Sequence, residues 1–308
     1  MKKLALKSYA KLNLYLDVRG KRKDNYHSLR TLFERIDIAD QIVLKLRPDK
    51  KIKIHTDSPQ ITPGPGNLAY QAAKLLQEAG SIQQGAAIKI TKRIPVGAGL
   101  GGGSGNAAAV LLGLNKLWGL GLSQSRLLTL ANRIGSDVAF FIHQCPFAEG
   151  LSRGERVRPL SSLRRLRLWH VVIVPRILVS TPLVYKEWDR QFEITRLKRR
   201  GNQKNNPLTG LTMPESSVKI LTSALRKKDF LKIGGLLYNS LERATFSLFP
   251  EVERIKEKLL ALRAKRILMS GSGPAVFAVV SSRKEACALA WRLRKDNRSW
   301  RVYISRTV

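Results

Sequence analysis

The sequence has little to hold it together covalently: in 308 residues there are two cysteines, Cys145 and Cys287, far apart in the chain. Two thiols so separated form no disulfide framework and no CxxC metal spacing, so a reducing compartment is expected. Histidine is scarce too, and His55, His143 and His170 show no metal-ligand pairing, so no bound transition metal is expected. Long apolar runs are missing. Leu168–Val184 is interrupted by His170, Pro175, Arg176 and Pro182, and reads as buried strand and turn instead of a membrane span. Met1–Leu6 carries positive charge but no apolar core before Lys7 and Lys11, unlike a secretory signal. The expectation is a cytoplasmic protein with no membrane partner.

Acidic residues are also few, 22 against 56 basic ones, which leaves a formal charge of +34. Such a field attracts phosphates, nucleic acid and anionic membranes alike. The cations are spread over the whole length, with local runs at Arg164-Arg165-Leu166-Arg167 and Arg196-Leu197-Lys198-Arg199-Arg200. No zinc-finger spacing, RNP-like aromatic motif or basic zipper accompanies them, so no specific nucleic-acid partner is expected. The excess reads as a compositional habit that also steers anionic substrates.

What is present is an α+β pattern in two lobes. Residues 4–18, Ile36–Leu46, Ile52–Thr56 and Ala86–Thr91 alternate as strands. Helical periods cover Asn67–Glu78, Asn106–Leu117, Ser123–Arg133 and Asp137–His143. Residues 150–165 turn to loop and arginine, which divides a first lobe, 1–160, from a second, 161–308. The second lobe opens with a strand at Trp169–Val174, and a polar excursion without clean period follows over Ile194–Glu215. Helices are then expected at Lys227–Leu237 and Pro250–Ala264. Strand, glycine turn and strand run over Ile267–Val280, before a helix at Arg283–Lys295 and a strand at Val302–Ser305.

The densest signal is Pro95-Val96-Gly97-Ala98-Gly99-Leu100-Gly101-Gly102-Gly103-Ser104, between a strand and a helix. It satisfies G-x-G-x-x-G, yet a dinucleotide fold needs an acid about 20 residues later for the ribose. None lies between Glu78 and Asp137. No Gly-Lys-Ser/Thr follows the glycines, so this is not a Walker A loop. What remains is backbone N–H groups and a helix N-terminus turned toward a polyphosphate, with the Ser104 hydroxyl in reach of a phosphate oxygen or Mg²⁺. Each glycine costs backbone entropy, and six in nine residues exceed the needs of a tight turn. A second glycine turn, Ser270-Gly271-Ser272-Gly273, lies in the other lobe.

Pro-x-Gly-x-Gly-Leu-Gly-Gly-Gly-Ser resembles the phosphate loop of the GHMP kinases. Ala10-Lys11-Leu12-Asn13-Leu14-Tyr15-Leu16 and Arg22-Lys23-Asp24-Asn25-Tyr26-His27-Ser28-Leu29 resemble, within that family, the members that act on 4-diphosphocytidyl-2-C-methyl-D-erythritol. Ile134–Phe141, Thr181–Tyr185, Asn239–Glu242 and Met269–Ala275 match further motifs in the same order, so the likeness spans most of the chain. Three departures are Asn25 for a glycine, Gly105 for a second serine and Ala139 for a proline. Asparagine tolerates positive φ, so the turn at Asn25 should survive.

The resemblance implies a two-lobed GHMP kinase fold with the active site between the lobes. It implies ATP-dependent phosphorylation of the 2-hydroxyl of that cytidyl diphosphate substrate, in non-mevalonate isoprenoid precursor synthesis, with Mg²⁺. It also implies Asp137 as base or orienter of the attacking hydroxyl, with Lys11 beside it. Tyr26 and Tyr185 stack on cytosine, His27 reads its edge, and Asn13 contacts the rest of the substrate. Asn67, Leu68 and Lys92 fall on the nucleotide side. From the residues alone, Asp137 serves equally well as a helix N-cap, and Tyr26, Tyr185 and His27 as ordinary packed or loop side chains. Another acceptor such as mevalonate or homoserine is the alternative within the family. A basic nucleic-acid binder on a degenerate kinase shell is the alternative outside it.

Overall fold

The computed structural model describes residues 2–202, 214 and 216–308. A first mixed sheet is built on two long antiparallel strands, β1 (Lys3–Lys21) and β2 (His27–Arg47). Alternating apolar residues, such as Leu12 and Leu14 against polar Lys11 and Asn13, suit a strand with one face in the core. β3 (Ile52–Thr56) and β4 (Gly85–Thr91) extend the sheet beside the second half of β2. β5 (Phe147–Ser152) pairs with the first half of β2, and β6 (Arg156–Pro159) pairs with β5. Helices α1 (Leu68–Ala79), α2 (Gly102–Leu117), α3 (Gln124–Ile134) and α4 (Val138–Ile142) cover one face. α2 is apolar on most sides because it is wrapped, with Ala107 to Leu111 all buried.

A second, antiparallel sheet has the order β11-β7-β10-β9, from β7 (Trp169–Val174), β9 (Ile267–Met269), β10 (Val276–Val280) and β11 (Arg301–Arg306). It carries helices α5 (Thr181–Asn202), α6 (Ser217–Lys227), α7 (Phe230–Leu236), α8 (Glu242–Leu248), α9 (Pro250–Ala261) and α10 (Arg283–Asp296). Between them β8 (Tyr238–Asn239) crosses over to join β1 in the first sheet.

Three local expectations change. Residues 150–165 are not loop throughout, since β5 and β6 occupy Phe147–Pro159, their exposed arginines projecting from a ladder. The excursion over 194–215 begins as the last turns of α5, which run to Asn202, and 203–213 and 215 lie outside the described residues. The helix expected at Lys227–Leu237 forms over Phe230–Leu236, as α7, because Lys228 takes a left-handed φ of +52° and ends the preceding α6 before Asp229 caps α7. The preceding helix, Ser217–Lys227, was not expected from the sequence. Both cysteines are free, and no described helix is long and apolar enough to cross a membrane.

Buried contacts join the sheets. Glu34 of β2 accepts from the Thr307 hydroxyl at 2.5 Å and pairs with His170 Nε2 of β7 at 2.8 Å, and neither Glu34 nor His170 has exposed surface. Closer to the glycine loop, the Ser270 hydroxyl accepts from the Asn13 N–H at 3.3 Å and donates to the Gly99 carbonyl at 3.1 Å. Ala275 N–H donates to the Ala98 carbonyl at 3.2 Å. A Cβ on Gly99 would lie 2.3 Å from the Ser270 carbonyl oxygen, so only glycine lets the two turns meet.

Removing Glu34 leaves the buried His170 Nε2 and Thr307 hydroxyl without this partner, so Glu34→Ala should cost about 2–3 kcal/mol in urea unfolding. Gly99→Ala should destabilise by about 2–4 kcal/mol, because neither backbone can yield. Gly97→Ala should cost only about 1–2 kcal/mol, since its φ of +68° is strained but the nearest atom, Leu178 Cδ2 at 3.3 Å, ends a flexible side chain. Equal losses for the two glycines would contradict the close-approach account.

Candidate active site

Register shifts in the β1–β2 ladder flank residues 10–13, one between Tyr9 and Ala10 and one between Asn13 and Tyr15. Such bulges re-aim side chains. Here they frame Lys11 and Asn13, which share one face of β1 and line a cleft of about 700 Å³ between the sheets. Lys11 Nζ donates to Asn13 Oδ1 and lies 3.5 Å from Asp137 Oδ2. The Asn13 amide is held in that orientation, as its Nδ2 donates to Thr31 Oγ1 at 2.8 Å and the Thr31 hydroxyl donates to the Tyr15 carbonyl at 2.7 Å. Lys11 is 3% exposed, and an ammonium so buried requires a nearby anion. Asp137 supplies it from the N-cap position of α4, yet its carboxylate makes no capping bond and faces the cleft.

Beside this pair runs the glycine loop. Gly97, Gly99 and Gly101 have φ of +68°, +72° and +68°, the left-handed region. Pro95 and Leu100 are buried wedges, and the Leu100 carbonyl accepts from the Lys11 N–H at 2.9 Å. α2 then begins at Gly102, and its N-cap Gly101 has no side chain to occupy the first-turn N–H groups. The first-turn N–H groups of Gly102, Gly103 and Ser104 and the positive end of the helix are thereby suited to an anion, with the Ser104 hydroxyl in the same turn. Lys92 adds charge: a Cβ at Gly102 would lie 3.2 Å from its Nζ. That ammonium pairs with Asp40, whose other oxygen accepts the N–H groups of Arg93 at 2.7 Å and Ile94 at 2.8 Å. Asp40 thus fixes the chain leading into the loop.

Asn67 and Leu68 sit on the loop's far side and do not line the cleft. Asn67 caps α1, accepting from the Ala69 N–H at 2.9 Å and donating to the Thr62 carbonyl at 3.1 Å. Leu68 Cδ1 would be 3.5 Å from a Cβ on Gly103. In the second glycine turn, Gly271 and Ser272 line the cleft. Ser272 Oγ is 2.7 Å from Thr181 Oγ1, and Asn239 Nδ2 donates to the Met269 and Gly271 carbonyls at 2.8 Å each. Gly273 turns beneath, its N–H donating to the Ser270 carbonyl at 3.0 Å.

At the opposite end, Asn25 takes φ +63°, and the chain turns into Tyr26 and His27. Tyr26 is 55% exposed with the Arg153 guanidinium 4.8 Å from its ring centre. His27 is nearly buried against Tyr185 of α5, their centroids 4.7 Å apart. Burial first, and the Asp137 carboxylate second, push the Tyr185 phenol well above its ordinary value, so it stays neutral and can donate a hydrogen bond. Lys11, Asn13, Asp137, Tyr26, His27, Tyr185, Gly271 and Ser272 therefore share one cleft. Asn67, Leu68 and Lys92 do not.

Sequence reasoning missed Thr31, Asp40, Arg153 and Asp189. Asp40 carried a signal, an acid on the apolar face of the Ile36–Leu46 strand pattern. Asp189 follows Tyr185 by four residues, one helical turn, a signal readable only once that segment is taken as helix. Thr31 and Arg153 carried none.

Residues 67–145 match the family model of the GHMP kinases N terminal domain, and residues 221–297 that of the GHMP kinases C terminal. A 4-diphosphocytidyl-2-C-methyl-D-erythritol kinase of Geobacillus kaustophilus is 42% identical over 90% of this chain and 88% of its own. One from Geobacter sp. is 39% identical over the full length of both. A crystal structure of a 4-(cytidine 5'-diphospho)-2C-methyl-D-erythritol kinase superposes with a TM-score of 0.76 at 34% identity, covering 99% of this chain and 100% of that one. Homoserine kinase from Cytophaga hutchinsonii, at 20% identity and TM-score 0.71, shares the fold. With a glycine loop at a helix start, a Lys–Asp pair and a cleft between two sheets, and with relatives of this identity over its whole length, the chain belongs to the 4-diphosphocytidyl-2-C-methyl-D-erythritol kinases of the GHMP family.

Proposed function

We propose that the cleft transfers the γ-phosphoryl group of ATP to the 2-hydroxyl of 4-diphosphocytidyl-2-C-methyl-D-erythritol. The observation that carries this reading is the Lys11–Asp137 pair, 3.5 Å apart, in a cleft bounded by the glycine loop at one end and by Tyr26, His27 and Tyr185 at the other. Phosphoryl transfer asks for positioning and for neutralisation of charge on the phosphate oxygens. The α2 N-terminus, Gly97–Gly103 and the Lys92 ammonium provide donors and positive charge for the phosphates. Asp137 accepts the proton of the attacking hydroxyl, while Lys11 beside it draws charge from the nascent alkoxide. Asn13, held by Thr31, keeps Lys11 in place. In this reading residues 1–160 form the nucleotide lobe and 161–308 the lobe that closes over the acceptor.

Mg²⁺ fits the donor set through Ser104 Oγ, and among the described residues no three His, Cys, Asp or Glu gather to hold a metal. That suits a cation held chiefly by phosphate oxygens and water, whose contribution is to neutralise phosphate charge. At the far end, an aromatic face, an imidazole and the rim cations Lys21, Arg153 and Lys186 match a pyrimidine diphosphate better than an acceptor without a base. In this reading the protein acts on a small anionic molecule, in the cytoplasm.

ATP-dependent phosphorylation should be seen with the cytidyl diphosphate substrate and not with mevalonate or homoserine, with ADP release as the readout. Turnover of mevalonate alone would refute the acceptor. Asp137→Ala should lower kcat by about 10²–10⁴-fold while leaving ATP affinity, measured calorimetrically, nearly unchanged. A fully active variant would remove Asp137 from the mechanism.

A further inference from the structure

Helices α1 to α4 cover one face of the first sheet, and the alternate residues of β1, β2 and β4 point away from them. Leu4, Leu6, Ile42, Leu44 and Ile88 turn inward, while Lys3, Lys7, Gln41, Lys45 and Lys89 stand exposed on the other side. In the ladders Lys3 lies opposite Lys45, Lys7 opposite Gln41, and Val43 opposite Lys89. Like charges set directly opposite each other destabilise a sheet. Among the described residues none of these four lysines joins an ion pair.

This face is concave. A hollow of about 450 Å³ over Lys3, Lys45 and Lys89 adjoins one of about 1050 Å³ at Gln41, which lines both. The larger hollow runs to β11 of the second sheet, past Lys7 and Arg93 to Arg301 and the half-buried Tyr303. Its one acid, Asp37, is already engaged, accepting from the Ser305 hydroxyl at 2.7 Å and the Arg306 N–H at 3.0 Å. Six cations without an ion pair therefore line one trough. From Lys45 to Ala39 along β2 it spans about 20 Å, the length of about six stacked nucleotides.

We propose that this trough binds single-stranded nucleic acid through its phosphates, without regard to sequence. A groove of cations with one aromatic at its end suits a flexible polyanion. No helix projects from this face to enter a duplex groove. A second copy of the chain carries the same +34 and is repelled. An anionic bilayer fits poorly, because none of the exposed large apolar side chains lies on this face to anchor it, and a flat surface does not fill a trough. The site is separate from the cleft and does not depend on the acceptor assigned there.

Fluorescence anisotropy of a labelled oligothymidylate of about 12 nucleotides reads the binding. A Kd of about 1–100 µM is expected at about 0.15 M salt, with log K falling steeply as salt rises. Lys45→Gln with Lys89→Gln should weaken binding about tenfold or more and make the salt slope shallower by about 1.4. The urea midpoint of that double variant should be no lower than wild type, since a repulsion across the ladder is relieved. Lys284→Gln with Arg292→Gln, the same charge change on the exposed side of α10, should leave Kd within about twofold. Equal losses in the two double variants overturn the proposal, because the charge of the whole chain then binds and not the trough. Tighter binding of a duplex of the same length overturns it, as does no binding at about 0.15 M salt. Phosphatidylserine vesicles that retain wild type but not Lys45→Gln/Lys89→Gln, with the oligonucleotide unbound, make the face a membrane surface and overturn it too.

Discussion

One buried hydroxyl, Ser270 Oγ, holds three segments that are distant in the chain. It accepts from the backbone of β1 at Asn13 and donates to the phosphate loop at Gly99, while its own residue opens the second glycine turn. The geometry works because Gly99 has no Cβ, which would lie 2.3 Å from the Ser270 carbonyl. Everything in the cleft inherits its position from this junction. Lys11 is bonded through its backbone to Leu100, one residue past the contact, and Asn13 lies two residues further along the strand. The glycine loop and the strand that holds the ammonium are therefore tied into one unit, as the positioning demanded by phosphoryl transfer requires.

The second constraint is electrostatic. The chain carries a formal +34, yet its buried cations are paired one by one: Lys11 with Asp137, Lys92 with Asp40, Arg30 with Glu149. Buried charges cost more than their attraction returns unless hydrogen bonds complete the shell. Asp40 meets that condition with two backbone N–H groups, and its two jobs coincide, since the same carboxylate anchors the loop and pairs with Lys92 beside the helix start. Three of the scarce acids thus stand where a buried cation must be held. The surplus of positive charge outside these pairs raises the local concentration of a polyanionic substrate, an effect of long range and strong salt dependence.

Much of this was legible in the sequence, for identifiable reasons. The glycine loop announced itself because glycine is costly and six in nine residues need a cause. Lys11 stood out because a lysine in an apolar strand is unusual, and the missing ribose acid excluded the commoner glycine-loop fold. Less legible were features that depend on long-range geometry. Nothing local marks Thr31 as the residue that orients Asn13, because the contact is made across the β1–β2 ladder. Arg153 reaches Tyr26 across more than a hundred residues of chain. The end of α6 at Lys228 carries no mark in the sequence, because a lysine in the left-handed region has no compositional signature, whereas a glycine there reads as a stop. The 150–165 segment looked like loop because arginines on a solvent-facing edge obscure the period of two.

The account turns on the claim that a hydroxyl held between the aromatic end and the glycine loop is delivered to Asp137. The most direct measurement is a crystal structure with the cytidyl diphosphate substrate and a non-hydrolysable ATP analogue bound together. The predicted result is the acceptor 2-hydroxyl about 3 Å from the Asp137 carboxylate, with the γ-phosphate between it and the start of α2. A base seated away from His27 and Tyr185, or a 2-hydroxyl pointing away from Asp137 with the phosphate loop empty of phosphate, would contradict it.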